Sequence, residues 1–350
     1  MDAALYRLGW VLMDQKRDAD GREVFATLHE SHPNSKYWPD ATFRMAEGAA
    51  LAGDYEHVAE LVDEILASGT SDKVVPYALH LKGQVAARTG RWTDVSPTME
   101  QLLSQFPNSP FAKSAEYWIG ESLYRQGKYA ESAEVFTSLA RRTQGETDTW
   151  LAIIPLRRAQ VLAHERKWSA AYAMAQDIAE EFPGFSQQYE VDYLLGRCLA
   201  SQARFQDARD AYERVVNSPH GRRTETAAMA QWNIGETYFH QKDYENAVRA
   251  YSRVELLYDF PRWQAMSLLQ AGKCFENLNQ WSEAADRYQQ ILNDFAQTEA
   301  TTEATQRLEA AKQKAGQSGG QTSTGENAST IQPPEIPPLD ARSPTQEESR

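Results

Sequence analysis

The side chains best suited to nucleophilic or redox chemistry in this chain are its two cysteines, Cys198 and Cys274. Two thiols can form a disulfide, and a single thiolate can act as a nucleophile or a metal ligand. Each cysteine lies two residues after a glycine, Gly196 or Gly272, at a position where related segments of the sequence carry Val, Gly, Ser or Thr. A position that takes only small side chains favours a buried structural thiol, with a reactive cysteine as the alternative.

Histidine is the other residue type here that could bind a metal or transfer protons. His29 and His32 could share one helical face, but no Cys or carboxylate accompanies them at a metal-ligand spacing. His80, His164 and His240 have no Ser, Cys or Asp at a recognisable catalytic spacing. We therefore expect no enzymatic activity, no catalytic residue, no cofactor and no metal, and we interpret the histidine pair as solvated.

A repeat runs through most of the chain and must position any functional residue. Small residues recur at intervals of 37 or 39 residues, at what we call the anchor positions: Gly9, Ala46, Gly83, Gly120, Ala159, Gly196, Gly235 and Gly272. Nine residues after each anchor, in every unit but the first, an aromatic residue follows: Tyr55, Trp92, Tyr129, Trp168, Phe205, Tyr244 and Trp281. Self-similarity at such a period indicates a stack of helical hairpins.

The hydrophobic spacing within one unit predicts two helices and no strand. In residues 117–136, apolar side chains recur three and four positions apart on both sides of a short break that contains Gly127. Two helices of about 14 residues and two turns fill a unit of this length. Inside a helix Gly120 costs about 1 kcal/mol relative to Ala, so we expect a neighbouring side chain to need that space.

The pattern resembles the tetratricopeptide repeat over about residues 2–297. As in that family, the second helix carries a small residue, as at Ser132, Ala171, Ala208, Ala247 and Ala284, and a bulky one four positions on, as at Phe25, Phe136, Tyr212, Tyr251 and Tyr288. Several units also close near a proline, as at Pro33, Pro107 and Pro183. The long units and these boundaries are similar to bacterial cell-envelope members, the lipoproteins of outer-membrane protein assembly and the periplasmic coordinator associated with the Tol-Pal system.

The resemblance implies an all-α solenoid of eight antiparallel hairpins. The predicted units span residues 2–37, 38–74, 75–111, 112–149, 150–187, 188–226, 227–263 and 264–297. A helical pattern over 298–315 predicts a C-terminal capping helix, and the Gly-, Ser- and Pro-rich composition of 316–350 predicts a disordered tail. The loop-like stretch 143–149, followed by Pro155, predicts either a late or a kinked helix and a break between the fourth and fifth units.

Composition and hydropathy bear on the partner and on the location of the protein. The net charge is −13 and the sequence pI is about 5.1, which disfavours nucleic acid as a partner. The longest apolar stretch near the start is far shorter than a membrane span, so we expect no direct membrane insertion. The sequence as written carries no export signal and predicts a cytoplasmic protein; a signal upstream of Met1 would place it in the periplasm or cell envelope.

The resemblance places the binding surface on the inner, concave face, which the family builds from first-helix residues. Carried over by their offsets from the anchors, the candidate groove residues are Tyr6, Trp10, Tyr77, His80, Arg88, Tyr117, Tyr124, Arg125, Tyr193, Arg197, Trp232, Phe239 and His240. Tyr, Trp and Arg often anchor interfaces because each combines a large contact area with a directed polar contact. The alternative is that about half of these aromatic side chains only pack between helices.

These observations predict a non-catalytic scaffold or adaptor that binds a protein or peptide partner in its groove. Two alternatives stay open. One is a bacterial cell-envelope assembly or coordination component whose export signal lies outside this sequence. The other is a regulatory or substrate-presenting partner of a separate enzyme.

Overall fold

In a computed structural model, residues 1–69 and 73–318 are described, and within them the chain forms seventeen α-helices and no strand. The helices are α1 Asp2–Asp14, α2 Asp18–Ser31, α3 Trp38–Ala52, α4 Tyr55–Ala67, α5 Val75–Arg88, α6 Trp92–Gln105, α7 Ala112–Arg125, α8 Tyr129–Arg142, α9 Ile153–His164, α10 Trp168–Glu181, α11 Gln188–Ser201, α12 Phe205–Asn217, α13 Glu225–His240, α14 Tyr244–Leu257, α15 Pro261–Asn277, α16 Trp281–Asp294 and α17 Ala300–Ser318. The predicted all-helical fold of paired helices is confirmed.

Consecutive helices pack in eight pairs, and the odd-numbered, or first, helices lie on the inner side of the stack. From α3 onward each first helix also contacts the next first helix, whereas the even-numbered, or second, helices make no comparably close contact with one another. Elements that approach more closely lie on the inside of a curved array. The first helices therefore line the concave surface.

A short turn joins the two helices of each hairpin and has the same backbone conformation in most units. One turn residue has a positive φ, for example Gly127 at 76° and Lys242 at 62°. Glycine adopts this conformation without strain, and other residues adopt it less readily. The aromatic residue nine positions after each anchor is the first residue of the second helix in all seven units that have one.

Six anchor glycines lie directly against a large side chain of the second helix. A Cβ added at Gly196 would lie 2.5 Å from the ring of Tyr212, and one at Gly235 would lie 2.4 Å from the ring of Tyr251. The same relation joins Gly9 to Phe25, Gly83 to Met99, Gly120 to Phe136 and Gly272 to Tyr288. In each pair the two residues are sixteen positions apart in sequence. The neighbour expected to need the space beside Gly120 is thus Phe136.

The hydrophobic core continues across the junction between the fourth and fifth hairpins, where we predicted a break. One buried cluster contains Leu139 of α8, Ile154 of α9 and Leu151 of the 3-10 turn that comes directly before α9. The helix α9 starts late and does not kink. Pro155 is its third residue, and the N–H groups of the first turn have no partner within the helix, so a proline there costs no hydrogen bond. A surface cavity of about 400 Å³ lies beside this junction.

The C-terminal end of the stack is covered by α17. Its residues Ala300, Ala304, Leu308 and Ala311 are buried in the last core cluster. The helix runs to Ser318, and the rest of the tail predicted to be disordered, residues 319–350, lies outside the described residues.

We predict that Gly196→Ala lowers the free energy of unfolding by about 1–3 kcal/mol, because the added methyl overlaps the buried ring of Tyr212. Urea denaturation followed by circular dichroism measures this. The matched control is Gly48→Ala, also in a first helix, where the methyl would meet only the flexible Arg22 side chain. The control should be neutral or stabilising by up to about 1 kcal/mol. Equal destabilisation by both substitutions would contradict the packing argument.

Candidate functional site

The candidate site is the inner surface formed by successive first helices. At its N-terminal end Tyr6 and Trp10 are engaged with the second hairpin. The Tyr6 hydroxyl donates to Asp40 Oδ2 at 2.6 Å and its ring stacks on Tyr37 at 4.5 Å between centroids. The Arg44 guanidinium lies 4.7 Å above the Trp10 ring. Both predicted groove residues therefore hold α1 against α3 and its preceding loop.

In the third hairpin, two of the three predicted residues are exposed and one is packed. Tyr77 is 41% exposed and meets Phe111 edge-on, and Arg88 is exposed at the end of α5. His80 stacks on Phe111 at 4.4 Å and shares a 2.8 Å hydrogen bond with Ser114 Oγ. Burial lowers the pKa of His80 to about 4, so this histidine is neutral at physiological pH and offers a ligand no charge.

A buried ion pair cluster that the sequence did not predict lies at the centre of the inner surface. Arg157 of α9 donates from Nε to Glu121 Oε2 of α7 at 2.6 Å, and from Nη1 to Glu190 Oε2 of α11 at 3.1 Å. Arg157 is 6% exposed and Glu121 is 2% exposed. Arg125, a predicted groove residue, also donates to Glu121, at 2.8 Å, but from an exposed position. The cluster joins three consecutive hairpins.

The charges in this cluster stabilise one another. Burial alone would raise the pKa of Glu121, but the attraction of Arg157 and Arg125 outweighs it and lowers that pKa below its usual value. Burial likewise opposes the charge on Arg157, and the two carboxylates raise its pKa. Glu121 and Arg157 are therefore both ionised at neutral pH.

Two predicted groove tyrosines form the wall of this cluster. The Arg157 guanidinium lies 5.6 Å from the Tyr124 ring centre, and the Tyr124 hydroxyl is 3.3 Å from His164 Nε2. Tyr117 packs against Trp118 and Phe136. Burial raises the pKa of both tyrosines. Their rings are mainly packed in the array, so truncating them would disturb the fold as well as any groove.

In the sixth and seventh hairpins, too, some of the predicted groove residues are packed and others are exposed. Tyr193 contacts Tyr212 and accepts a 3.4 Å hydrogen bond from Asn233, and Trp232 packs against Trp263 at 5.7 Å. Phe239 lies edge-on to Tyr244, and the exposed His240 ring lies parallel to Phe205. Arg197 lies over the Trp168 ring at 5.8 Å. Which of the predicted groove residues bind a partner stays a prediction.

On the inner surface from α3 to α15, the described carboxylates all have a partner, whereas some of the arginines do not. Within the described residues, every carboxylate on the first helices from α3 to α15 has a hydrogen bond or an ion pair: Asp40, Glu47, Glu116, Glu121, Glu190, Asp192, Glu225, Glu236 and Glu276. Three arginines of the same helices have no carboxylate partner there: Arg88, Arg158 and Arg197. Arg158 lines the junction cavity, so Arg88 and Arg197 are the unpaired cations among the predicted groove residues.

The two cysteines are free and buried, and burial raises the pKa of Cys198 to about 11 and that of Cys274 to about 12. Among residues 1–69 and 73–318 no group of three or more His, Cys, Asp or Glu side chains is arranged to hold a metal ion. In that same part of the chain, every helix is too short or too polar to cross a membrane.

Comparison with known families identifies the repeat. Residues 80–236 match the tetratricopeptide repeat-like domain, and residues 3–35 and 226–297 each match the tetratricopeptide repeat. A segment of 118 residues is 25% identical to the outer membrane protein assembly factor BamD of Rickettsia prowazekii (strain Madrid E). That match covers 31% of this chain and 47% of the relative, so it spans about half of the relative's length.

Solved structures share the fold at low sequence identity. A tetratricopeptide repeat protein from Parabacteroides merdae is 9% identical with a TM-score of 0.57, over 78% of this chain and 98% of that one. The C-terminal part of a repeat protein from Cytophaga hutchinsonii is 17% identical with a TM-score of 0.51, over 72% of this chain and 95% of that one.

We predict that Arg157→Met lowers the free energy of unfolding by about 3–5 kcal/mol, because it leaves the buried Glu121 carboxylate without its main partner. Arg125→Met removes the second arginine from the same carboxylate, and we expect a loss of only about 0–1 kcal/mol because that arginine is solvated. Urea denaturation at pH 7 compares the two. Similar losses for both variants would show that the buried cluster has no special role.

Proposed function

Because the chain is a tetratricopeptide repeat protein, we propose that it is a non-catalytic scaffold or adaptor that binds a segment of a partner protein along the inner surface of its first helices. Proteins of this architecture generally act through protein-protein contacts on an extended concave face. The segment lies across the third to sixth hairpins, from Arg88 to Arg197.

The observation that carries the proposal is the surplus of unpaired arginines on the first helices from α3 to α15, where every carboxylate of the described residues is engaged. An internally satisfied carboxylate neither attracts a basic ligand nor requires one, whereas a free guanidinium gains most from a carboxylate. The ligand should therefore present acidic side chains to Arg88 and Arg197, together with apolar or aromatic groups for exposed rings such as Tyr77.

The distribution of charge between the two kinds of helix supports the same ligand. Acidic and basic residues are equal in number on the eight first helices, while the second helices carry a large acidic excess. An acidic segment is therefore repelled more strongly by the outer surface than by the inner one.

The spacing of the two arginines sets the length of the ligand. They lie three hairpins apart, on the order of 30 Å at about 10 Å per packed layer. An extended segment of about nine residues spans that distance. This length suits an extended peptide that carries one acidic residue near each end.

Phage display of random twelve-residue peptides on the immobilised full chain tests the proposal. We expect selected peptides to be enriched in Asp or Glu and in apolar or aromatic residues. The double substitution Arg88→Gln and Arg197→Gln should weaken a selected peptide by roughly tenfold or more in fluorescence anisotropy, since a hydrogen bond to a charged group contributes about 1.5–3 kcal/mol.

The matched control for this experiment is Arg158→Gln, which removes the third unpaired first-helix arginine but from the junction cavity. It should leave the affinity unchanged. Peptides without acidic enrichment, or an equal loss for the control, would exclude the arginine-based groove.

A second candidate function is a component of cell-envelope assembly, supported by the similarity to the assembly factor BamD and by the long repeat units. This function would place the protein outside the cytoplasm, and it remains compatible with a groove that binds an extended segment. The alternative location is cytoplasmic.

Cell fractionation distinguishes the two locations when the complete native gene is expressed with a C-terminal epitope tag. The envelope function predicts that the tagged protein sediments with the envelope fraction and that crosslinking followed by mass spectrometry recovers outer-membrane proteins. Recovery with a cytoplasmic marker alone, away from a periplasmic marker, would contradict it.

A further inference from the structure

The side of α1 that faces away from the rest of the stack carries an apolar stripe, and no other described helix covers it. Ala4, Leu8, Val11 and Gln15 are all exposed and follow one another at intervals of three or four residues, which places them on one face of the helix. Leu8 is 47% exposed and Val11 is 49% exposed. Among the large apolar side chains of the described residues, few are this exposed.

In every later hairpin the equivalent face packs against the second helix of the preceding hairpin. Two positions after the anchor, Ser122 donates to the Trp92 carbonyl of α6 at 2.6 Å, and Thr237 accepts from Arg209 of α12 at 3.2 Å. One position before the anchor, Lys82 pairs with Asp63 of α4. The positions that Leu8 and Val11 occupy are thus stacking positions, and in the first hairpin no described helix lies against them.

The opposite end of the stack is different. There α17 buries its apolar side and turns a polar side outward, with Thr302, Thr305, Gln306, Glu309 and Lys312 exposed. A terminal element with a polar outer face is what a solenoid requires for solubility. Within residues 1–69 and 73–318 the two ends are therefore unequal, and the α1 end is the one that offers an apolar stacking face.

We propose that this face binds α1 of a second copy of the chain in an antiparallel arrangement. Arg7 and Asp14 flank the stripe two helical turns apart, and both are exposed without an ion pair or hydrogen bond from the described part of the chain. When two such helices run antiparallel with Leu8 of one beside Val11 of the other, Arg7 of each lies near Asp14 of its copy. The contact is self-complementary and closes after two copies.

This charge pattern is the reason to choose a second copy over another helix. An antiparallel copy supplies two opposite-charge pairs at once, whereas a parallel copy places the two Arg7 side chains, and the two Asp14 side chains, on opposite edges of the contact and supplies no such pair. Because a single helix supplies the contact, the buried area is small and the dimer is weak, with a dissociation constant on the order of micromolar or higher. The inner surface is not involved, so this proposal and the groove proposal can fail separately.

Sedimentation velocity of the full chain, from about 1 to 500 µM, tests the proposal across the range expected for a small interface. We expect the weight-average sedimentation coefficient to rise with concentration toward that of a dimer. The pair Leu8→Glu and Val11→Glu should abolish this rise. Leu51→Glu is the control, because Leu51 is also apolar and highly exposed, at 73%, but lies at the end of α3.

A charge exchange identifies the antiparallel register. Arg7→Asp and Asp14→Arg should each weaken the dimer by roughly tenfold, since each turns two attractive pairs into repulsive ones. The double variant Arg7→Asp with Asp14→Arg should restore wild-type association. Circular dichroism checks that each variant is folded. A sedimentation coefficient that is constant up to the highest concentration, association that survives the glutamate pair, or a double variant no better than the singles would overturn the proposal.

Discussion

The contact between an anchor glycine and the ring facing it sets the separation of the two helices in a hairpin. Where the facing residue is Phe, Tyr or Met, the anchor is glycine, and an added Cβ would lie within about 3 Å of that side chain. The two alanine anchors follow the same rule. Sixteen residues after Ala46 stands Val62, and sixteen after Ala159 stands Ala175, both buried. A large facing residue is thus never set against an anchor that carries a side chain, so the two helices of each hairpin can pack closely.

The stacking of the hairpins brings successive first helices into contact from α3 onward, and this creates the inner surface. The cluster of Glu121, Arg157 and Glu190 requires three hairpins in register, because each residue comes from a different one. Within single hairpins, Tyr251 and Tyr288 donate from their hydroxyls to Glu236 and Glu276. The described carboxylates of the first helices from α3 to α15 are thus all engaged, which leaves the unpaired arginines of those helices free to bind a ligand.

The repeat, the anchors and the helix-initiating aromatic residues could be predicted from the sequence because each recurs, and recurrence makes a weak local signal specific. The buried cluster could not, because the offset of Arg157 also holds Arg7 and Arg44 in the first two units and Leu81, Trp118 or Asn233 in others, so the position alone does not indicate a buried ion pair. Helical spacing identified which rings share a face but not whether a ring packs or projects. Tyr117 and Trp232, each three positions before an anchor, are largely packed, while Tyr77, six positions before its anchor, is exposed.

The first and second helices differ in net charge, and this difference favours binding of an acidic segment on the inner surface. The net charge of −13 would by itself suggest that acidic partners are excluded, yet that excess lies largely on the second helices. On the inner surface most carboxylates are paired at short range with arginines, and a charge so paired projects little field. Glu225 and Glu236 keep their charge, because only neutral groups donate to them. On the first helices from α5 to α11, the charged side chains left without an opposite charge within the described residues are Arg88, Arg158 and Arg197. A chain that is acidic overall can therefore offer free guanidinium groups to an acidic segment, and the whole-chain charge is a poor guide to its ligand.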